Sequence, residues 1–332
     1  MAPTFPRLDG ARMVAGVGSA LVDVLLQEDD DFLVRTGAQK GGMTLVESGR
    51  IEEVLATTST TPSVVCGGSA CNTIVGIGKL GGPAKFIGKC GTDELAKLFE
   101  HDLRGNGVEP RLFKSDSPTG RVLSIITPDA QRSMLTCLGA SAETKPEEIT
   151  PEELEGAAVV HIEGYLLFNE ALLRAALEAA REAGAFVSLD LASYTVVEAA
   201  KGILADVVKE FVDILIANED EARVYTGSSD EQKALEQLAD HANIAVLKLG
   251  KRGSLIARGD ERVTVERMGS GAAVDTTGAG DLWAAGFLYG LVNGLDLQAA
   301  GNLGSACGYE VCQIVGAQIP HEGWQRIRQT VN

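Results

Sequence analysis

The chain has 332 residues, of which 45% are hydrophobic and 5% are aromatic, and it contains 39 glycines. A chain of this length can bury a large core, and its composition excludes an intrinsically disordered protein. The formal net charge of −17 argues against nucleic acid and anionic membranes as partners, because both are bound by a positive face. It does not exclude a nucleotide, since a metal ion and a helix N-terminus can supply positive charge locally.

The cysteines and the start of the chain indicate the compartment. The six cysteines form no C-x-x-C pair and lie in apolar surroundings, which predicts reduced core residues. The N-terminus lacks the pattern of a signal peptide, and no apolar run is long enough to span a bilayer. We therefore expect a cytoplasmic protein with a single domain over residues 1–332.

The first elements combine short strands with glycine turns. Residues 13–18 predict a buried strand, and Asp23 interrupts the apolar run that follows. Because an unpartnered carboxylate is costly to bury, Asp23 is either exposed on a turn or held for a ligand. Residues 41–46 predict a strand of a small appendage, and residues 66–73 predict a glycine turn that opens a helix.

The segment 76–81, Gly-Ile-Gly-Lys-Leu-Gly, matches the dinucleotide-binding pattern G-x-G-x-x-G, and Asp93 lies near the distance expected for a ribose-binding carboxylate. The context is wrong, however. Residues 72–79 favour a helix over a strand, and Pro83 would disrupt a helix that begins after Gly81. An NAD-dependent Rossmann oxidoreductase is therefore the lesser alternative function.

The next elements predict a helix and a hairpin. Residues 92–103 predict a helix with Thr92 as its N-cap and Gly105 after its last turn. The β-rich runs 120–127 and 133–138 flank a polar turn and predict a hairpin. We expect a small β-sheet lid with strands from about 18–50 and 110–140. Its exposed edge could pair two copies, so a monomer and a homodimer both stay open.

From residue 150 onward, predicted strands and helices alternate. The strands are predicted at 159–162, 186–191, 213–217 and 244–249, and the helices at 171–183, 196–211 and 229–241. This alternation is typical of an α/β fold with a doubly wound, mainly parallel sheet and helices on both faces. Ligands of such sheets bind at the carboxyl ends of the strands, where Asn218 and Lys248 lie.

Residues 275–281, Asp-Thr-Thr-Gly-Ala-Gly-Asp, precede a long apolar segment that predicts a buried helix. The glycines allow a sharp turn with unpaired N–H groups, and a helix N-terminus carries roughly half a positive charge, so this turn suits an anion. Asp281 lies in the first turn, where we expect it to stay ionised. A carboxylate beside an anion hole suits phosphoryl transfer to a hydroxyl. The alternative is an N-capped core helix after a glycine turn.

This motif resembles the C-terminal signature D-T-x-G-A-G-D of the ribokinase-like (PfkB) carbohydrate and nucleoside kinases, and the adenosine-kinase-like branch is the most similar. Gly67, Gly68 and Asn72 match the N-terminal signature G-G-x-x-x-N of that family. The resemblance covers nearly the whole chain and implies a ribokinase-like fold. It also implies ATP as phosphate donor, Mg²⁺ as cofactor and a small nucleoside or sugar as substrate.

The resemblance further implies roles for the matching residues. The general base would be Asp281, the anion hole Gly278, Ala279 and Gly280, and a phosphate contact Arg132, for which a solvated hairpin arginine is the alternative. The acceptor would be bound by Asp23, Gly67, Gly68 and Asn72, with an apolar base slot at Leu45, Met134 and Tyr165. Lid and core packing is the alternative for these three slot residues.

On the nucleotide side, the resemblance implies ATP contacts by Asn218, Lys248, Gly250, Gly253 and Ser305, the last on a helix predicted over residues 297–315. Lys248 replaces the usual threonine, so it either contacts a phosphate by its charge or points to solvent. Glu221 would hold Mg²⁺, mostly through water, and the alternative is that the carboxylates of this first helix turn only complement the helix dipole. Asp275, Thr277 and the loop around Gly316 correspond to a monovalent-cation site, for which K⁺ is the candidate.

The sequence therefore predicts an ATP-dependent kinase that transfers the γ-phosphate to a primary hydroxyl of an adenosine-like nucleoside. A PfkB-type sugar kinase that acts on ribose, fructose or 2-keto-3-deoxygluconate is the alternative. The sequence contains no G-x-x-x-x-G-K-[ST] loop and no H-R-D or D-F-G set, so P-loop and protein-kinase mechanisms lack their parts.

Overall fold

The computed structural model describes residues 12–129 and 131–330, and these form two β-sheets with helices packed against them. The strands in chain order are β1 (Met13–Val17), β2 (Leu21–Gln27), β3 (Met43–Leu45), β4 (Ser63–Gly67), β5 (Ala84–Cys90), β6 (Val108–Lys114), β7 (Gly120–Ile126), β8 (Arg132–Cys137), β9 (Ala157–Glu163), β10 (Phe186–Asp190), β11 (Ile214–Asn218), β12 (Ile244–Lys248), β13 (Ser254–Arg258) and β14 (Glu261–Val265). The α-helices are α1 (Asp30–Thr36), α2 (Ser48–Leu55), α3 (Ser69–Leu80), α4 (Glu94–Gly105), α5 (Glu170–Glu182), α6 (Tyr194–Phe211), α7 (Glu219–Thr226), α8 (Glu231–Ala239), α9 (Ala279–Val292), α10 (Leu297–Val311) and α11 (His321–Gln329).

Within the described part of the chain, nine strands form the larger sheet in the order β14-β13-β12-β11-β10-β9-β1-β5-β6. The strands from β12 to β6 pair in parallel, and β13 and β14 add an antiparallel edge. In β11, Ile214 and Ile216 pack in the core on one face, while Leu215 and Ala217 pack in the core on the other. Such strands are apolar throughout because helices cover both faces. The predicted doubly wound, mainly parallel α/β sheet is confirmed.

The smaller sheet has the strand order β3-β8-β7-β2-β4. Its strands β7 and β8 are antiparallel, as the hairpin prediction required. One face packs against α1 and α2 through residues such as Val24, Leu123 and Phe32, while the alternate residues Asp23 and Val122 line a cleft. Two strands differ from the expected lid ranges. β4 lies outside them, and β6 lies partly inside them but pairs in parallel with β5 in the larger sheet.

Several helix ends differ from the sequence expectation. The N-cap of α4 is Asp93 and not Thr92, because the Asp93 carboxylate accepts a hydrogen bond from the Ala96 N–H at 2.9 Å. Gly105 is the last residue of α4 rather than the residue after it. Helix α10 ends at Val311 rather than at residue 315. Across the described ranges, none of the helices combines the length and apolar character that crossing a membrane requires.

The G-x-G-x-x-G match is part of a helix and not a dinucleotide-binding turn. Gly76 and Gly78 lie inside α3, and Gly81 is its left-handed C-cap with φ 90°. A Cβ on Gly76 would lie 2.6 Å from the Cβ of Ala285 in α9, so this glycine allows two helices to pack closely. The observation removes the feature that favoured an oxidoreductase.

Candidate active site

A cleft of about 410 Å³ lies between the two sheets, at the carboxyl ends of the parallel strands. This volume is within the range of small-molecule sites. Its polar lining comprises Ser19, Asp23, Ser69, Asn72, Arg132, Thr136, Ser141, Glu163, Tyr165, Asn169, Asp190, Asn218, Glu221, Lys248, Thr276 and Asp281. The fold therefore brings together predicted residues that are more than 250 positions apart in the chain.

Asp281 lies in the first turn of α9, and its carboxylate is held by two donors from α3. The Ser69 hydroxyl donates to Oδ1 at 2.8 Å, and the Asn72 amide donates to Oδ2 at 2.9 Å. Burial raises the pKa of Asp281 above its ordinary value, even though both hydrogen bonds oppose that rise. Asn72, predicted to bind a substrate hydroxyl, thus also fixes the orientation of this carboxylate.

The turn before α9 lines the cleft through Gly278, Ala279 and Gly280. Gly278 has φ 72°, a left-handed conformation that favours glycine, and it forms the N-cap of the helix. Among the described residues, no hydrogen-bond acceptor is found for the N–H groups of Gly278 and Gly280. Ala279 corrects the sequence expectation, because its N–H donates to the Thr276 carbonyl at 3.2 Å and closes the turn. The anion hole therefore has two of its three predicted amides available.

Asp23 lies on β2 opposite β4, and its carboxylate is only 5% exposed. A Cβ on Gly67 would lie 2.4 Å from the carboxylate carbon of Asp23, so Gly67 leaves room for this side chain. Burial raises the pKa of Asp23 to about 6, and the nearby Arg132 guanidinium opposes that rise. Gly68 has φ 96°, and a Cβ there would meet the Ser19 carbonyl oxygen at 2.5 Å. The surroundings of Gly67 and Gly68 thus leave no room for a side chain at either position.

Apolar side chains also line the cleft, and we refer to this part of its lining as the apolar slot. The predicted residues Leu45, Met134 and Tyr165 all line it, together with Met43, Leu138, Phe168 and Leu172. Leu45 is 55% exposed and Phe168 is 54% exposed, which is unusual for large apolar side chains. Burial raises the pKa of Tyr165 to about 12, so its phenol stays neutral.

Asn218 and Glu221 form a reciprocal cap at the start of α7. The Asn218 backbone N–H and side-chain amide donate to the two Glu221 oxygens at 2.8 and 2.6 Å, and the Glu221 N–H donates back at 3.0 Å. Glu221 is 1% exposed, and burial raises its pKa. Because each carboxylate oxygen already accepts a hydrogen bond, the pair fits a magnesium ion held through water better than one coordinated directly.

Lys248, at the end of β12, points into the protein and not to solvent. Its ammonium forms an ion pair with the Asp190 carboxylate at 2.6 Å, and the side chains are 14% and 6% exposed. A Cβ on Gly280 would lie 3.0 Å from the Lys248 Nζ, so the ammonium packs against the anion-hole turn. A positive charge therefore stands beside the predicted anion hole.

Residues 43–323 match the family described as pfkB family carbohydrate kinase. The chain belongs to this family. Its members are phosphotransferases that act on hydroxyl groups of sugars or nucleosides.

The relatives include both acceptor classes. A 5-dehydro-2-deoxygluconokinase from Geobacillus thermodenitrificans is 30% identical over 256 residues, which cover 72% of this chain and 76% of that protein. The crystal structure of adenosine kinase from Sinorhizobium meliloti is 33% identical, covers 96% of this chain and 99% of that chain, and has a TM-score of 0.90. A probable sugar kinase from Rhizobium etli CFN 42 is 32% identical, covers 96% of this chain and 98% of that chain, and also has a TM-score of 0.90.

Ser305 of this pfkB kinase does not have a free hydroxyl. The hydroxyl accepts from the Met268 N–H and donates to the Glu266 carbonyl, both at 3.0 Å, which ties α10 to the loop after β14. The hydroxyl is therefore engaged within the protein, and the ATP contact assigned to Ser305 stays a prediction. Gly250 and Gly253 lie in the turn between β12 and β13, with φ 53° and 89°, and do not line the cleft.

Asp275 fastens the loop before α9. It accepts from the Thr277 N–H at 2.9 Å, from the Thr277 hydroxyl at 2.8 Å and from the Gly316 N–H at 2.7 Å. These hydrogen bonds hold Asp275, Thr277 and Gly316 close together in space. The monovalent-cation site predicted there stays a prediction.

Two carboxylates of the cleft were missed by the sequence reasoning. Glu163 ends β9 and accepts hydrogen bonds from the N–H groups of Ser19 at 2.8 Å and Ala70 at 3.0 Å, which joins the loop after β1 to the start of α3. Asp190 ends β10. Both stand at the carboxyl end of a predicted strand, and that position was the signal that could have identified them.

Proposed function

We propose that this protein is an ATP-dependent kinase that transfers the γ-phosphate of ATP to a primary hydroxyl of an adenosine-like nucleoside. The observation that carries the proposal is the buried Asp281 carboxylate, oriented by Ser69 and Asn72 beside the unpaired Gly278 and Gly280 N–H groups. A fixed base and preorganised donors are the two requirements of phosphoryl transfer to an alcohol.

In the proposed step, Asp281 accepts the proton of the acceptor hydroxyl. The hydroxyl oxygen forms a bond to the γ-phosphorus while the bond from that phosphorus to the bridging oxygen breaks, and ADP leaves. Burial raises the pKa of Asp281, which makes its ionised form a stronger base than an exposed aspartate. The Gly278 and Gly280 N–H groups and the dipole of α9 stabilise the charge on the moving phosphoryl group.

The part of the cleft around Asp23 would bind the acceptor and position its hydroxyl for this attack. The ionised Asp23 carboxylate has two acceptor oxygens, which suit the two hydroxyls of a ribose diol. Arg132 lies close enough to lower the pKa of Asp23 and also lines the cleft, so it can offset the negative charge of that carboxylate or of a phosphate.

Asn218 and Glu221 would hold Mg²⁺ through its water shell, as their engaged oxygens favour. The ion would neutralise charge on the β- and γ-phosphate oxygens when bound. K⁺ near Asp275 and Thr277 remains part of the proposal.

The apolar slot supports a nucleoside over a free sugar. Its residues include Met134, Tyr165 and Phe168, a surface that suits a planar base and that a sugar with hydroxyls on every carbon would leave poorly matched. The adenosine kinase from Sinorhizobium meliloti, similar over 96% of this chain, adds support. A sugar kinase is the second candidate, because 5-dehydro-2-deoxygluconokinase and fructokinases are among the relatives.

The test is ATP consumption across a panel of adenosine, other nucleosides, ribose, fructose and 2-keto-3-deoxygluconate. We expect turnover with adenosine and with close base analogues. Turnover only with free sugars would refute the nucleoside assignment while preserving the kinase assignment.

Asp281→Asn provides the second arm of the test. The variant retains the shape and the partners Ser69 and Asn72 but lacks the base, so we expect kcat to fall by about 10²- to 10⁴-fold with an unchanged far-UV spectrum. Near-normal turnover of a folded variant would refute the role of Asp281.

A further inference from the structure

Three neighbouring parallel strands end in polar residues that meet above the sheet edge. Asn218 of β11 is in register with Lys248 of β12, and Asp190 of β10 is in register with Ile216 of β11. The Lys248 side chain therefore crosses the end of β11 to reach Asp190 on the far side. Strands two apart are about 9.6 Å from each other, a span that the two side chains bridge together.

Stability does not explain this ion pair. Both groups are almost fully buried, and removing two charges from water costs about as much free energy as their attraction returns. A well-packed apolar pair would serve a core at least as well. The location of the pair in the lining of the cleft points instead to a ligand.

The ammonium remains charged although it is buried. Burial alone would lower the pKa of Lys248, but Asp190 and Glu221 outweigh it, and the pKa is raised overall. The described cleft residues include the carboxylates Asp23, Glu163, Asp190, Glu221 and Asp281, against the two cations Arg132 and Lys248. A polyphosphate entering such a cleft needs a cation at the point of contact.

The position of the ammonium identifies that point. Gly280 carries one of the unpaired N–H groups, and a side chain there would begin 3.0 Å from the Lys248 Nζ. We propose that Asp190 is a positioning residue that holds the Lys248 ammonium against Gly280, where it contacts an oxygen of the transferring phosphoryl group. This inference rests on the proposed kinase function and adds the terminal phosphate as the group that Lys248 recognises.

Nucleotide binding tests the inference without any acceptor. Isothermal titration with Mg²⁺ and either ADP or a non-hydrolysable ATP analogue is compared for the wild type, Lys248→Met, Lys248→Arg and Asp190→Asn. We expect Lys248→Met to weaken binding of the ATP analogue by about tenfold or more, with a much smaller effect on ADP, because only the analogue carries the third phosphate. Lys248→Arg should recover part of the loss, and Asp190→Asn should show an intermediate loss with the same preference.

A double variant separates positioning from an independent role. If Asp190 acts only by holding Lys248, Asp190→Asn adds no further loss of analogue binding in the Lys248→Met background. In turnover assays we expect Lys248→Met to lower kcat by roughly 10²-fold or more, the usual effect of removing one charge-stabilising donor. Additive losses in the double variant would overturn the positioning role of Asp190.

Glu148→Gln is the matched control, because it breaks another buried lysine ion pair that lies outside the cleft. The Lys89–Glu148 distance is 2.7 Å, with the side chains 5% and 20% exposed. We expect this variant to lose stability but to keep both nucleotide affinities. Equal losses for ADP and the analogue in Lys248→Met would overturn the phosphate contact. An unexpected acceptor specificity would refute only the proposed nucleoside, since the titrations contain no acceptor.

Discussion

Asp23 makes the protein less stable when it is ionised, and this cost can be measured. Its carboxylate is buried on β2, and burial raises its pKa from an ordinary 3.8 to about 6. The folded state thus binds a proton more tightly than the unfolded state between these two pH values. Stability must fall as pH rises through this window, because the folded state loses the proton it prefers.

Asp23→Asn removes this titration. One pKa unit corresponds to about 1.4 kcal/mol, so the shift to about 6 amounts to a destabilisation of about 3 kcal/mol once the group is fully ionised. We expect the free energy of unfolding of the variant, relative to the wild type, to increase by roughly 2 to 3 kcal/mol between pH 4 and pH 8, because the unfolded carboxyl is already partly ionised at pH 4. Urea unfolding at pH 4, 5, 6, 7 and 8, followed by circular dichroism, measures the difference.

Asp93→Asn is the matched control, with the opposite sign. Burial opposes ionisation of Asp93, but hydrogen bonds from Thr119 and Ala96 outweigh it and lower its pKa. The stability that Asp93 contributes is therefore present above its unfolded pKa and is lost on acidification, so the deficit of its variant should shrink toward low pH. A pH-independent difference for Asp23→Asn would show that the Asp23 carboxylate does not ionise against a desolvation penalty.

Two further predictions concern the slot and the loop after β14. Tyr165→Ala should raise KM for the nucleoside by about tenfold or more, because the proposed aromatic surface against the base is lost, while KM for ATP stays unchanged. Steady-state kinetics with each substrate varied in turn measures both values. Equal rises in the two KM values would contradict the prediction. Ser305→Ala should cost about 1 kcal/mol of stability and increase hydrogen exchange in residues 266–268, because its hydroxyl ties α10 to that loop. A large loss of ATP affinity without faster exchange would show instead that Ser305 contacts ATP and does not hold the loop.

The sequence predicted the parallel strands of the larger sheet well because a short stretch of apolar residues is enough to identify each of them. β11 and β12 are continuous apolar runs, as expected of strands buried on both faces, and the polar residues that end them mark the ligand edge. β4 was missed because it is short, Ser63–Gly67, and its last residues belong to the glycine turn that was predicted over residues 66–73. The antiparallel edge formed by β13 and β14 was missed as well.

The site was predicted less completely than the fold because hydrogen-bond partners depend on distant parts of the chain. Nothing near Glu163 indicates that it accepts from Ser19, which is 144 positions away. The family resemblance assigned Ala279 to the anion hole and Ser305 to ATP binding, yet the Ala279 N–H donates to Thr276 and the Ser305 hydroxyl bonds to the loop after β14. A motif identifies which residues are near a ligand, but the fold decides which of their donors remain available.

Gly280 offers a variant in which kinetics and stability should change independently. A Cβ at this position would lie 3.0 Å from the Lys248 Nζ and 3.9 Å from its Cε. The ammonium is the flexible end of a side chain and can shift by a few tenths of an ångström, so the fold tolerates the change, and alanine favours the helix by up to about 1 kcal/mol. We therefore expect Gly280→Ala to unfold at the wild-type temperature or above it.

Activity should nevertheless fall, because the shifted ammonium no longer matches the anion hole. A misplacement of about 1 Å can cost about 100-fold, so for a shift of a few tenths of an ångström we expect kcat/KM to decrease by several-fold, up to about tenfold. Gly202→Ala is the control, since Gly202 lies in α6 with nothing within 4 Å of its Cβ position and should gain stability without a kinetic change. Gly278→Ala should instead lose stability, because Gly278 has φ 72° and its Cβ would lie 2.7 Å from Ala317. Wild-type kinetics in Gly280→Ala would show that the Lys248 ammonium does not need its place beside the turn.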